Sequence, residues 1–282
     1  MISPNPDLSV DLSSAAASDA AVLLDLAAVA RPLPAGALPP LGPAGRAVAR
    51  RTWAGRMVNE HCSAQVWASL LPQAMRAGVP AGLLPGLAAA AGDELRHAEQ
   101  CAGVVVALGG SAVAPLPALR PLPAHAHLPP LEAFVWNIVS VGCISETVAV
   151  SLIRAEHLEL PEGPLRALLG QILADEVQHA RLGWATLGAL LPRLDAAARA
   201  RLEAYLEVAL AHQIAHELPL LPLTALPDDP GLPAAGVCRG ADARALFFAT
   251  LGEVIVPQLE VAGLRAGAAW AAAQRRPEAL AA

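Results

Sequence analysis

The chain has 282 residues, of which 55% are hydrophobic and 16% charged, enough apolar material to fill the core of one sizeable domain. A net charge of −6 with no basic run argues against a general nucleic-acid binder. All 19 basic residues are arginine, and beside so much alanine, proline and glycine this bias carries no functional reading.

Residues 1–12 read as a loose tail. Ser13 or Ser14 is placed to cap a helix over 15–30, with Val22, Leu23, Leu26 and Val29 on one face. Prolines at 32, 34, 39, 40 and 43 then predict an extended connection. A helix over 44–77 follows. Its stripe of Trp53, Met57, Glu60, Ala64, Trp67 and Leu71 keeps a 3.6-residue period and is interrupted by one acid, and Pro72 predicts a kink near its end. The next helix starts between Ala81 and Pro85 and runs to Leu108, where Gly109-Gly110 stops it. Its inner face carries Leu87, Ala90, Glu94, His97, Cys101 and Val104.

Residues 110–130 form a proline-rich crossover that contains His125 and His127. A helix over 131–156 presents Val139, Cys143, Glu146, Val150 and Ile153 on one stripe. After a short turn, a helix over 164–191 places Leu169, Ile172, Glu176, His179 and Gly183 on one face. Two further helices are predicted over 194–217 and 241–274, the second kinked at Pro257. No segment shows strand periodicity. The likeness of the helix pairs 44–108 and 131–191 predicts one all-α domain over 13–274, with a bundle core at 44–191 and a tail from 275.

The uncharged stretch Cys101–Leu119 is broken by Gly109-Gly110 and by Pro115 and Pro117, so it predicts no membrane span. Met1–Val10 has neither a basic side chain nor an apolar core, which argues against a secretory signal and for a cytoplasmic protein. Cys62, Cys101, Cys143 and Cys238 form no C-x-x-C pair and read as small apolar residues in a reducing compartment.

One pattern occurs twice: Asp93-Glu94-Leu95-Arg96-His97 and Asp175-Glu176-Val177-Gln178-His179. On a helix, Glu and His three apart point from one face. A lone glutamate precedes each copy inside an apolar stripe, Glu60 before the first and Glu146 before the second. Four buried carboxylates repel one another unless cations neutralise them, and two divalent ions balance four negative charges. Carboxylate mixed with imidazole suits iron, manganese or zinc better than calcium or magnesium. Asp93 and Asp175 each lie four residues before a histidine of the pattern. Either could orient an imidazole by accepting from its far nitrogen, on its own helix or on the neighbouring one.

On these residues the chain resembles the ferritin-like di-iron carboxylate superfamily over 44–191. The resemblance implies a four-helix bundle with about three added helices, one N-terminal and two C-terminal. It implies two iron ions, with manganese open at one position, held by Glu60, Glu94, His97, Glu146, Glu176 and His179. It also implies O₂ activation, a small organic substrate and an external electron donor; charge and composition call for neither nucleic acid nor a membrane, and a homodimer stays open. Hydroxylation, N-oxygenation and desaturation are the reactions in view. The alternative is iron oxidation or storage, or peroxide removal, without an organic substrate.

The departures narrow the family. The sole tyrosine, Tyr205, lies outside the four core helices, Val150 stands where multicomponent monooxygenases carry threonine, and Ile172 where arylamine N-oxygenases carry a third histidine. His212 and His216 on the sixth helix read either as exposed imidazoles or as an extra ligand or proton relay. His125, His127 and His157 read as solvent histidines, and Trp53 and Trp67 as core, with a pocket wall or an electron path as the alternatives.

Overall fold

Proline opens most of the long helices of this chain, at a position where its missing N–H costs no hydrogen bond and its fixed φ suits the first turn. The structure, a computed structural model, describes residues 22–118 and 121–276. Helix α1 spans Pro43–Arg76, α2 Leu84–Ala107, α3 Pro130–Ile138, α4 Glu146–Glu159, α5 Pro164–Leu190 and α6 Ala196–Glu217. The shorter α7, α8 and α9 span Gly240–Ala249, Val256–Val261 and Ala266–Ala273. Helices α3 and α4 are one continuous rod, joined by the π-helical segment Val139–Ser145.

Helix α1 packs along α2, and α4 along α5; contacts of α1 with α3 and of α2 with α5 join the two pairs into a four-helix bundle. Helix α6 lies across α3 and the π segment and is itself covered by α9, while α7 covers α4. This is the expected all-α ferritin-like arrangement. Its core divides in two along the bundle axis. One apolar cluster gathers Trp53, Met57, Cys101, Val104, Leu165 and Leu169. The other gathers Trp67, Leu70, Leu87, Phe134, Leu187 and Leu190. On α1, α2 and α5 the glutamates and histidines of the doubled pattern fall between the two clusters, so a polar layer is closed above and below by dry packing.

Several expectations require correction. The helix expected over 15–30 lies partly outside the described residues. Where it is described, Leu23–Asp25 forms a strand, β1, paired antiparallel with β2, Val113–Pro115, in the crossover. Three-residue strands are too short to show an alternating pattern, which is why no strand signal stood out. Pro72, expected to kink or restart α1, lies inside it, and the helix runs through without a restart. The single helix expected over 241–274 is two rods. The first passes through a π segment, Thr250–Ile255, immediately before Pro257, and ends at Gly263, whose φ of +91° reverses the chain before α9. A proline cannot donate to the preceding turn, and the widened segment lies where that donor is missing.

The rod Pro130–Glu159, rather than Cys101–Leu119, is the one described helix long and apolar enough to cross a membrane, with a mean hydropathy of 1.6. It packs against α1, α5, α6 and α7 as a core helix of the bundle. The expected stripe on this rod is displaced beyond the π segment: Val148 is buried, whereas Val150 and Ile153 are only half-buried. Cys101 and Cys143 are fully buried free thiols, as expected, and Cys238 is exposed. The tail expected over 1–12 lies outside the described residues, as do residues 277–282 of the tail expected from 275, whereas Arg276 is described and pairs with Glu207 of α6 at 2.9 Å.

Candidate metal centre

Four rods bring six side chains into the polar layer. Glu60 comes from α1, Glu94 and His97 from α2, Glu146 from the first turn of α4, and Glu176 and His179 from α5. Glu94, His97, Glu146, Glu176 and His179 are buried, and Glu60 is half-buried. They fall into two overlapping groups with metal-ligand spacing, Glu60, Glu94, His97, Glu176 and Glu94, Glu146, Glu176, His179, in each of which one ligand atom per residue lies within 4.8 Å of the others.

The geometry is nearly two-fold. His97 Nδ1 faces Glu176 Oε1 at 3.2 Å, Glu60 Oε2 at 3.4 Å and Glu94 Oε2 at 3.6 Å. His179 Nδ1 faces Glu94 Oε1 at 3.4 Å, Glu176 Oε2 at 3.4 Å and Glu146 Oε2 at 3.7 Å. Glu94 and Glu176 therefore turn one oxygen toward each histidine, while Glu60 serves only the first and Glu146 only the second. Both Nδ1 atoms are buried without a hydrogen-bond partner. A buried polar atom left unpaired is costly, and two of them, each ringed by three carboxylates, fit the lone pairs of neutral imidazoles directed at a cation.

Without a cation the charges compensate one another by holding protons. Burial pushes the Glu60 carboxyl up to about 8, aided by Glu94 and Glu176 against the contact with His97. Burial also raises Glu146 well above the carboxylate range. Burial alone would lower His97, but Glu176, Glu60 and Glu94 push it up to about 12. His179 is raised for the same reasons, by Glu146, Glu176 and Glu94 against burial. Burial opposes the ionisation of Glu176, yet His179 and His97 hold it below its usual range.

The far nitrogens are fixed crosswise. Asp175 on α5 lies 3.1 Å from Nε2 of His97 on α2, and Asp93 on α2 lies 3.2 Å from Nε2 of His179 on α5. Each aspartate thus serves the neighbouring helix, the alternative that spacing alone left open. Arg96 ties the two together, with Nη2 2.7 Å from Asp93 Oδ1 and 2.8 Å from Asp175 Oδ2. Trp67 Nε1 donates to Glu146 Oε1 at 3.0 Å, and its ring lies 5.5 Å from that of His179. Trp53, by contrast, donates to the Ala235 carbonyl and belongs to the core.

A cavity of about 670 Å³ reaches this layer, with Glu60, Glu94, Glu146 and Glu176 among its lining residues. Thr52, Arg56, Asn59 and Ser63 of α1 make one wall, Ala149, Leu152 and Ile153 of α4 another, and the segment after α6 covers it. A second cavity of about 920 Å³ shares Glu156 and Cys238 with it but does not include the layer.

His216 and Glu217 also line the smaller cavity. The His212 and His216 rings stack at 6.2 Å, and neither belongs to the two metal-ligand groups. Burial lowers His216 and pushes Glu217 up to about 7. His125 is not a solvent histidine; it packs on Trp136 and Tyr205 and bonds Asn137 at 3.1 Å. Arg96 and the cavity residue Arg56 had no assigned role in the sequence, and the bond from Trp67 to Glu146 was not foreseen. Only Arg96 carried a signal, since it lies inside the first D-E-x-x-H copy.

No protein-family model matches the chain, and no curated protein sequence matches it. Among solved structures, it is similar to a protein from Synechococcus with aldehyde deformylating oxidase activity. The TM-score is 0.57 at 21% identity, over 83% of this chain and 98% of the other. That likeness is one of fold.

Proposed function

We propose that this chain is a di-iron oxidoreductase that uses O₂ to oxidise a small organic substrate held beside Glu60, Glu94, Glu146 and Glu176. The observation that carries the reading is the pair of buried, unpartnered Nδ1 atoms of His97 and His179, each facing three carboxylates. Glu60, Glu94, His97 and Glu176 would hold one ion, and Glu94, Glu146, Glu176 and His179 the other. Iron suits this donor set, and manganese at one position is compatible with it. Such ions supply Lewis acidity and electrons for O₂ reduction.

The protein's own contribution is orientation and exclusion of water. Asp175 and Asp93 keep the Nε2 protons of His97 and His179 in place, so that Nδ1 is presented unprotonated. The apolar clusters close the layer on two sides and confine access to the cavity, which strengthens the charge interactions inside it. The cavity favours an organic substrate over iron storage, since its volume lies within the range of small-molecule sites. Two electrons per turnover would come from an external donor.

Glu94→Ala and His179→Ala are the test. Protein purified after growth in iron should carry two metals by elemental analysis, and each variant should lose at least one together with O₂ consumption. Metal content and O₂ uptake unchanged in both variants would reject the centre. Ferrous oxidation with no organic oxidation would favour the iron-handling alternative.

A further inference from the structure

Arg56 lies on the cavity wall four residues before Glu60. Its guanidinium is held on three sides. It sits 4.7 Å over the centroid of the Trp53 ring, its Nη2 donates to the Gly236 carbonyl at 3.3 Å, and Nη2 also pairs with Glu156 Oε1. The ion pair is single-point where a guanidinium and a carboxylate usually meet fork to fork. Arg56 Nη1 and Glu156 Oε2 are left over, both buried and both without a hydrogen-bond partner. A donor and an acceptor stranded in one ion pair are costly together, and both residues line the cavity that holds the glutamates.

The surroundings say what would satisfy them. The α1 wall is mostly polar, through Thr52, Arg56, Asn59, Glu60 and Ser63 beside Val48 and Gly55, while α4 offers Ala149, Leu152 and Ile153. A lone carboxylate would satisfy Nη1 but be repelled by Glu156. A lone ammonium would satisfy Oε2 but be repelled by Arg56. A group that carries both charges satisfies both atoms without a charge conflict.

We propose that Arg56 and Glu156 recognise the zwitterionic end of an α-amino-acid-like substrate, its carboxylate on Arg56 Nη1 and its ammonium on Glu156 Oε2. Arg56 and Glu60 are one helical turn apart, ~6 Å along the axis, so a side chain of a few carbons extends from this anchor to the glutamate layer. The identification of the substrate rests on that layer being the reaction centre. Recognition by the pair can be measured without turnover.

The test is calorimetric binding of 2-aminohexanoate, hexanoate and hexylamine to the full-length protein under anaerobic conditions, with metal content determined on the same samples. The wild-type protein should bind 2-aminohexanoate roughly tenfold or more tighter than either single-charge analogue, a difference of ~1.4 kcal/mol or more. Arg56→Lys, which keeps the charge and loses the fork, and Glu156→Gln, which keeps the shape and loses the charge, should each weaken it by about tenfold or more at unchanged metal content. If Arg56→Lys fails to fold, Glu156→Gln decides. Equal binding of the three probes, no binding of any, or wild-type affinity in the folded variants overturns the proposal. Two metals without amino-acid binding would remove the substrate assignment and leave the centre intact. Amino-acid binding without metal would do the reverse.

Discussion

Trp67 makes the two halves of the glutamate–histidine layer unequal. Its indole N–H occupies Glu146 Oε1, which leaves Oε2 to face His179. Glu60, the counterpart beside His97, makes no such bond to an indole, and it lines the cavity. One terminal carboxylate is thereby fixed and the other is free to move, so the two metal positions should differ in affinity. Trp67→Phe keeps an aromatic ring in the core while removing the donor together with part of the buried indole. We expect one of the two metal-binding steps to weaken by about tenfold, the lower end of what loss of such an orienting partner costs, and the other to stay near wild type. A titration with ferrous iron would show a changed separation between its two steps, and an unchanged isotherm would show that Glu146 needs no support from Trp67. The six proposed ligands were legible in the sequence because each breaks an apolar stripe. The crosswise partners of His97 and His179 were not, because spacing places Asp93 and Asp175 only on their own helices.

At the scale of elements, the π segment Val139–Ser145 sets where Glu146 points. A π turn carries one residue more than an α turn, so everything after it is rotated relative to an unbroken helix. The displacement of the buried stripe to Val148 is the visible result. The segment is seated by a close approach of backbones. A Cβ on Gly142 would lie 2.7 Å from Gly183 Cα, and a Cβ on Gly183 would overlap the Gly142 carbonyl. Deleting Ser140 should restore a regular helix and rotate Glu146 by roughly 100°. We expect near-native helicity by circular dichroism with loss of at least one metal, and full metal content after the deletion would show that the bulge is not needed. The helix pairs could be read from periodicity and from their glycine and proline punctuation. The bulge could not, because the Ser140–Gly142 stretch has the composition of any tightly packed helix contact. The short strands β1 and β2 escaped for a related reason: their pairing joins residues some ninety positions apart through backbone groups, which side-chain pattern does not record.

For the whole molecule, the layer between the two apolar clusters makes stability depend on whether protons or metals occupy it. In the metal-free chain Glu60 ionises at about 8 instead of its ordinary 4.5, and His97 at about 12 instead of 6.5. Both pKa values are raised on folding, so the folded form binds more protons than the unfolded chain across these intervals. Stability from these groups is therefore complete below pH 4.5. It falls through the Glu60 interval up to about pH 8, and His97 adds to the loss from pH 6.5 upward. Glu176, held low by the two histidines, acts oppositely, but only below its ordinary 4.5, and so adds nothing to the slope above that pH. Metal binding removes the dependence by replacing the protons, and each proton displaced makes metal uptake tighter as pH rises. Metal-free protein should accordingly lose melting temperature steadily between pH 5 and pH 8, whereas metal-loaded protein should hold or gain over the same range. Scanning calorimetry of both forms at fixed ionic strength measures this directly. Parallel curves for the two forms would mean that the layer does not exchange protons for metal, and with that the charge argument for the centre would fail at its base.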